Sequence, residues 1–348
     1  MQAPFALFGD YRIWRGNIRE SHARPDLWFH AIVKRIMRAV RLADACENAP
    51  SSLIPDELPV PSPRRGEVLI RVFAAGVTAA ELSWYPTTHR ADGQPRRKAV
   101  PGHEFSGVVA SRGEEAGDLA IGQAVFGMND WFADGAMAEF CTAPISAVAP
   151  KPETLSHVEA ASVPISALTA WQGLFEHAKL QPGETVLVHG GAGGVGVFAI
   201  QLAHWHGAHV ITTASAANRE FVTGLGAAQV VDYERERFEE AAGRVDVVFD
   251  TVGGETLDRS WAMLRAGGRL VTIESAAAGS SDPRVKAAFF IVAPSRKQLT
   301  EIARLLEAGK LKPVIGSVFS LSQAPDVFAG KMPRRRRGKV VITVPDAN

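Results

Sequence analysis

The sequence predicts an α/β protein in two parts, a β-rich first half followed by a doubly wound parallel sheet. Three observations carry this. A glycine run, Gly190-Gly191-Ala192-Gly193-Gly194-Val195-Gly196, sits between a short apolar segment and a helical pattern. From residue 185 onward, strand-like and helix-like segments alternate with short links, the mark of parallel βαβ units. Before that point, Gly and Pro turns cut the chain into strand-sized pieces. A length of 348 residues suits two domains.

The elements follow in order. A strand pattern begins at Met37 with Met-Arg-Ala-Val-Arg-Leu, and residues 68–73 and 106–110 read as further strands. Residues 185–189, Thr-Val-Leu-Val-His, form an apolar run suited to a strand buried on both faces. After the glycines, Val195, Phe198, Ala199, Leu202 and Ala203 recur at helical spacing. Strands are then expected at 209–213, 229–232, 245–249 and, after the Gly267-Gly268 turn, 269–273.

Composition removes several function classes. Hydrophobic residues make up 46% and charged residues 22%, an ordinary globular balance, and the formal net charge is +1. No basic field is available to hold nucleic acid. The clustered basic run Arg334 to Arg337 is short, and no apolar stretch reaches the ~18 residues of a membrane span. Two cysteines, Cys46 and Cys141, cannot build a four-cysteine zinc site within one chain and count against a disulfide framework. They fit a reducing compartment, so a cytoplasmic location is expected. Residues 1–36 read as a poorly ordered extension without a signal-peptide core, and Asp10, Glu20 and Asp26 count against a transit peptide.

Gly191, Gly193 and Gly196 satisfy G-x-G-x-x-G, placed after a strand and at the opening of a helix, as a dinucleotide site requires. Glycine permits the tight turn, clears space for a pyrophosphate and lets helix pack on strand. The helix N-terminus adds unpaired N–H donors and the positive dipole end. Gly191, Ala192, Gly193, Gly194 and Val195 are therefore the expected phosphate cradle. An NAD site places Asp or Glu about 20 residues past the glycines. Residues 212–219 read Thr-Thr-Ala-Ser-Ala-Ala-Asn-Arg and contain no acid. Ser215 and Arg219 can instead hold a 2′-phosphate, which makes NADPH the expected cofactor.

From about Met37 to Val344 the chain resembles the zinc-independent medium-chain dehydrogenases/reductases, close to their quinone and enone reductases. The matching stretches are Pro61-x-Pro63-x-x-Gly66-Glu67-Val68, Ala75-Gly76-Val77, Pro101-Gly102-His103-Glu104-Phe105-Ser106-Gly107, Gly135-Ala136-Met137-Ala138-Glu139, Ala167-Leu168-Thr169-Ala170-Trp171, the glycine run, Leu225-Gly226-Ala227 and Gly338-Lys339-Val340-Val341. The resemblance implies a GroES-like β-rich N-terminal domain over 37–160, completed by 294–348, and a Rossmann domain over 161–293. It places the active site in the cleft between them and makes a homodimer a family expectation. Thr169, Tyr233, Ile273, Ser275 and Lys339 match cofactor positions, and Arg337 and Lys339 together match a C-terminal basic position near the phosphate.

The resemblance also sharpens the chemistry. Zinc-dependent relatives place a cysteine ligand where this chain has Thr78. A second cysteine is missing around Pro164-Ile165-Ser166, and His103 alone stands at a ligand position. One histidine cannot hold zinc, which needs at least three protein ligands. Without a Lewis acid, good hydride acceptors such as a quinone or an α,β-unsaturated carbonyl fit best. Donors to the resulting enolate are sought after Val77. Thr78 stands where many relatives carry Asn, Glu81 at the family's acidic position, and Trp84 and Tyr85 as walls, Tyr85 being a further proton donor. Trp131 sits in another rim loop. His103 is either a proton donor or, with Glu104, a structural relic. Alternatives are a carbonyl reductase or alcohol dehydrogenase, a crystallin-like protein that binds cofactor without turnover, and a polyketide enoyl-reductase unit, disfavoured by the lack of flanking carrier or synthase segments.

Overall fold

A computed structural model describes residues 36–43, 52–333 and 337–344. Residues 1–35 of the expected extension, and Cys46, lie outside the described residues. An antiparallel pair, β1 (Ile36–Leu42) and β2 (Leu53–Pro59), opens the described chain. A larger sheet comprises β3 (Glu67–Val77), β4 (Glu104–Arg112), β5 (Ala124–Met128), β6 (Phe140–Pro144) and β7 (Val148–Pro150). A second sheet comprises β8 (Thr185–Val188), β9 (His209–Ala214), β10 (Gln229–Asp232), β11 (Val245–Asp250) and β12 (Leu264–Thr272). The last strands, β13 (Ile315–Ser320) and β14 (Lys339–Thr343), return to the first sheet, where β14 runs antiparallel to β3. The GroES-like and Rossmann halves expected from the sequence are thus both present.

The second sheet is wholly parallel, in the order β10-β9-β8-β11-β12. Its central strand explains itself. Val186, Leu187 and Val188 are all fully buried. Alternation sends Val186 and Val188 into one core with Phe198 and Phe249, and Leu187 into another with Ile211, Val231 and Val248. Such a strand is covered on both faces and tolerates no polar side. The helices that matter for the site are α1 (Pro164–Trp171), α2 (Gly196–Trp205), α3 (Arg219–Gly224) and α4 (Arg296–Glu307).

One boundary differs from expectation. The sequence places Gly267-Gly268 in a turn before the fifth strand, yet β12 starts at Leu264. Leu264 pairs with Val245, the register then slips, and Arg269 pairs with Val247. Gly267, with φ +77°, absorbs the slip, so the turn chemistry lies inside the strand as a kink.

Candidate active site

Steric exclusion builds the glycine loop. Gly190 leaves β8 with φ +73°, a conformation that favours glycine. A Cβ on Gly191 would stand 2.0 Å from Thr212 Oγ1 on β9, and one on Gly196 would stand 2.2 Å from the Gly190 carbonyl oxygen. These two glycines press loop and helix onto the sheet. Gly193, Gly194 and Val195 instead line a cleft of about 970 Å³. Gly191 and Ala192 stand behind them, and the Ala192 carbonyl accepts from the Gly338 N–H at 2.9 Å. Beneath the loop, buried His189 contacts Thr213 Oγ1 (3.2 Å) and Ser260 Oγ (3.0 Å). Thr213 Oγ1 in turn accepts from the Gly190 N–H at 3.1 Å. Burial pushes the His189 imidazole down to about 4, so a neutral ring supports the loop.

The cradle fits a dinucleotide on its own chemistry. The N-terminus of α2 leaves N–H groups without intrahelical partners. Ser166 Oγ is buried without a hydrogen-bond partner, 3.4 Å from where a Cβ on Gly194 would stand. An orphaned hydroxyl beside unpaired N–H donors is the environment a pyrophosphate satisfies. Thr169, Ile273 and Ser275 also line the cleft, although the Thr169 hydroxyl already donates to the Ile165 carbonyl at 2.6 Å.

The far end of the cradle is arranged differently from the sequence reading. β9 ends at Ala214 and Ser215 follows, with no carboxylate through residue 219. Ser215 Oγ accepts from the Asn218 amide at 3.2 Å. The Arg219 guanidinium is drawn away, donating to the Val230 carbonyl at 2.7 Å and pairing with Glu236 at 3.2 Å. Tyr233 is exposed and does not line the cleft. The basic group beside the Ser215 loop is Arg337, which donates to the Ala217 carbonyl at 2.6 Å and to Asn218 Oδ1, and lies over the Phe221 ring. The sequence offered Arg337 only through its C-terminal match, because nothing local marks it as a neighbour of residue 217.

Thr78, Lys339 and Glu104 meet at the floor of the cleft. Lys339 Nζ donates to Thr78 Oγ1 at 2.9 Å and pairs with Glu104 Oε1 at 2.5 Å. Glu104 Oε2 accepts from the Ile165 N–H at 2.9 Å. Burial pushes the Glu104 carboxyl up, and the Lys339 charge opposes that shift. A side chain at Gly76 would collide with this carboxylate, its Cβ falling 2.3 Å from Glu104 Oε1. The walls are apolar: Trp84, Tyr85, Trp131, Phe132, Phe289 and Ile291. Tyr85 is exposed on the rim and stacks on His89 at 4.4 Å.

His103 is buried outside the cleft lining. Its Nδ1 contacts Glu81, its Nε2 faces the Ala133 carbonyl at 3.3 Å, and its ring lies 5.4 Å from that of Trp131. Glu81 also accepts from the Gly102 N–H at 2.7 Å. The pair therefore buttresses the wall, with both ring nitrogens engaged. Among the described residues no group of three or more His, Cys, Asp or Glu side chains is placed to hold a metal ion.

Comparison with known proteins agrees with this architecture. Residues 64–153 match the alcohol dehydrogenase GroES-like domain, and residues 225–342 match the zinc-binding dehydrogenase family. A 2-methylene-furan-3-one reductase of Solanum lycopersicum is 35% identical over 294 residues, covering 81% of this chain and 73% of its own. The chain belongs to the medium-chain dehydrogenase/reductase family. It is an oxidoreductase with a nicotinamide-cofactor site. An NADPH-dependent alkenal/one oxidoreductase of Arabidopsis thaliana is 32% identical, covering 81% of this chain and 73% of its own. The quinone oxidoreductase of Coxiella burnetii superposes with a TM-score of 0.78 at 30% identity, covering 89% of this chain and 100% of its own. Among the described residues no helix is long and apolar enough to cross a membrane.

Proposed function

We propose that this oxidoreductase delivers hydride from NADPH to a quinone or an α,β-unsaturated carbonyl without a metal ion. The observation that carries the reading is the cleft itself, with a glycine cradle at one side, aromatic side chains in its walls, and Thr78 in its lining. In this reading residues 161–293 form the cofactor domain and 37–160 with 294–348 the substrate domain.

Reduced nicotinamide, when bound, supplies the hydride. Gly193, Gly194, Val195 and Ser166 hold the pyrophosphate, and Thr169, Ile273 and Ser275 flank the nicotinamide. Ser215 and Arg337 would bind the 2′-phosphate, whereas Arg219, engaged by Val230 and Glu236, and the exposed Tyr233 would reach it only by moving. The aromatic walls orient a planar acceptor and exclude water. Thr78 donates to the carbonyl oxygen as negative charge develops there. His103, enclosed behind Trp131 with both nitrogens engaged, keeps the wall rather than the proton. The NADPH dependence of the Arabidopsis relative favours NADPH here, and the tomato furanone reductase and the Coxiella quinone oxidoreductase favour enone and quinone acceptors. A cytoplasmic setting suits the buried free thiol of Cys141, which burial pushes up to about 12.

The test follows loss of reduced-nicotinamide absorbance in chelator-treated protein given a quinone, a small enone or a simple aldehyde. Oxidation of NADPH by the quinone or enone, with little from NADH or the aldehyde, is expected. Saturable NADPH binding without turnover of any acceptor would leave a cofactor-binding protein instead. Activity only with aldehyde and added zinc would return the chain to the alcohol-dehydrogenase reading.

A further inference from the structure

Thr78 and Lys339 stand 261 positions apart in sequence, yet their side chains meet at 2.9 Å. A lysine ammonium has donors and no acceptor. In this contact the Thr78 oxygen therefore accepts, and the hydroxyl's own proton points elsewhere. Thr78 lines the cleft, where a substrate oxygen can accept that proton. The ammonium is fixed from behind by the buried Glu104 carboxylate, which is itself held by the Ile165 N–H and seated in the space left by Gly76. A cation bonded to a hydroxyl oxygen strengthens that hydroxyl as a donor, most of all where water is excluded.

We propose that Lys339 is a positioning residue for the reduction, aiming the Thr78 O–H into the cleft and replacing the proton that Thr78 gives to the substrate's carbonyl oxygen. The inference rests on the hydride-transfer reading above and deepens it. In the step, hydride adds to the acceptor carbon and the π-electron pair moves onto the carbonyl oxygen. That oxygen takes the Thr78 proton, and the threonine O–H bond breaks as the new O–H bond forms. The Thr78 oxygen takes a proton from Lys339 Nζ, and the resulting amine regains one from water. One hydride and one proton are added in all. The rival role for Lys339 is a phosphate contact, since its Cδ runs 3.5 Å from where a Cβ on Gly194 would stand.

The test uses a probe that needs no turnover. 4-Nitrophenol is titrated into the full chain with NADP⁺ present, at a pH where the free phenol is mostly protonated, and the phenolate absorbance is read. The wild type is expected to bind it as phenolate. Thr78→Val removes the donor, and Lys339→Met with Glu104→Gln removes the ammonium without stranding a buried carboxylate. Each variant should lose phenolate affinity by about 100-fold, and their combination should lose little more. NADPH affinity, read by protein fluorescence, should stay within about threefold. Binding of the neutral phenol alone by the wild type would overturn the inference. So would a Lys339 variant that keeps the phenolate but loses NADPH affinity. Wild-type protein that binds phenolate but reduces no quinone or enone would overturn only the hydride-transfer reading and leave the donor pair standing.

Discussion

The glycine loop and the cleft floor lie side by side, but they are built by opposite means. The loop's tightest contacts at positions 191 and 196 are local: Gly191 meets Thr212 and Gly196 meets Gly190, both within one βαβ unit. The floor is assembled from Thr78 on β3's exit, Glu104 on β4 and Lys339 on β14, three strands of one sheet drawn from both ends of the chain. A local device fails by steric overlap, whereas a long-range device fails by losing a partner. The sharpest way to break the comparison is therefore at the loop. Gly191→Val and Gly196→Val should each weaken NADPH binding by about 100-fold or more, because a side chain there forces the cradle off the sheet. Fluorescence titration reads this, and thermal unfolding should fall with it. A Gly196→Val protein that binds NADPH normally would show that the loop has slack the geometry denies.

That difference also decides what the sequence could reveal. The parallel sheet and the loop were legible because buried strands, glycine spacing and helix periodicity are short-range patterns. The missing acid after β9 was equally legible, since residues 212–219 are contiguous. The floor was legible only in pieces. Thr78 and Lys339 could each be singled out by resemblance, one as a donor and one beside a phosphate, but no periodicity relates position 78 to 339. Arg219 and Arg337 show the same limit. Arg219 has the right spacing from the glycines, yet the Val230 carbonyl on β10 captures it, and the guanidinium near Ala217 arrives from the returning chain. His103 sits at a recognisable position, but its orientation is set by Glu81, 22 residues earlier.

A second prediction concerns the support beneath the loop. His189 in the fold holds a value of about 4, below the ordinary 6.5, because burial disfavours its cation. Between those values the unfolded chain binds more protons, so stability rises with pH through that window. The contribution is complete above about pH 6.5, and about 3 kcal/mol is lost as pH falls towards 4. Urea unfolding across this range should show a shallower pH slope for His189→Asn than for the wild type, by up to one proton. Identical slopes would mean that the ring does not titrate with folding.

Smaller effects are expected where the cradle relies on the returning chain. Arg337→Gln should raise the NADPH dissociation constant by about tenfold while leaving NADH nearly unchanged, since a guanidinium–phosphate contact is charge-assisted. Arg219→Gln should shift it by less than about threefold, its guanidinium being occupied by Val230 and Glu236. The reverse ranking would mean that Arg219 swings from its partners when the phosphate arrives.

The smallest effect belongs to the wall. Trp131 Nε1 donates to the Val292 carbonyl at 3.3 Å, and its ring meets Trp84 edge-on at 5.4 Å. The hydrogen bond ties a loop of the β-rich half to the segment that follows the parallel sheet, so it sets the width of the cleft rather than its chemistry. Trp131→Phe keeps the aromatic contact and removes the donor, a loss of about 1 kcal/mol. KM for a bulky planar acceptor should rise by about fivefold, kcat and the NADPH dissociation constant should hold, and a small enone should be barely affected. If the small enone suffers equally, Trp131 positions the reacting carbon itself, and the distinction between wall and floor gives way to a single continuous surface.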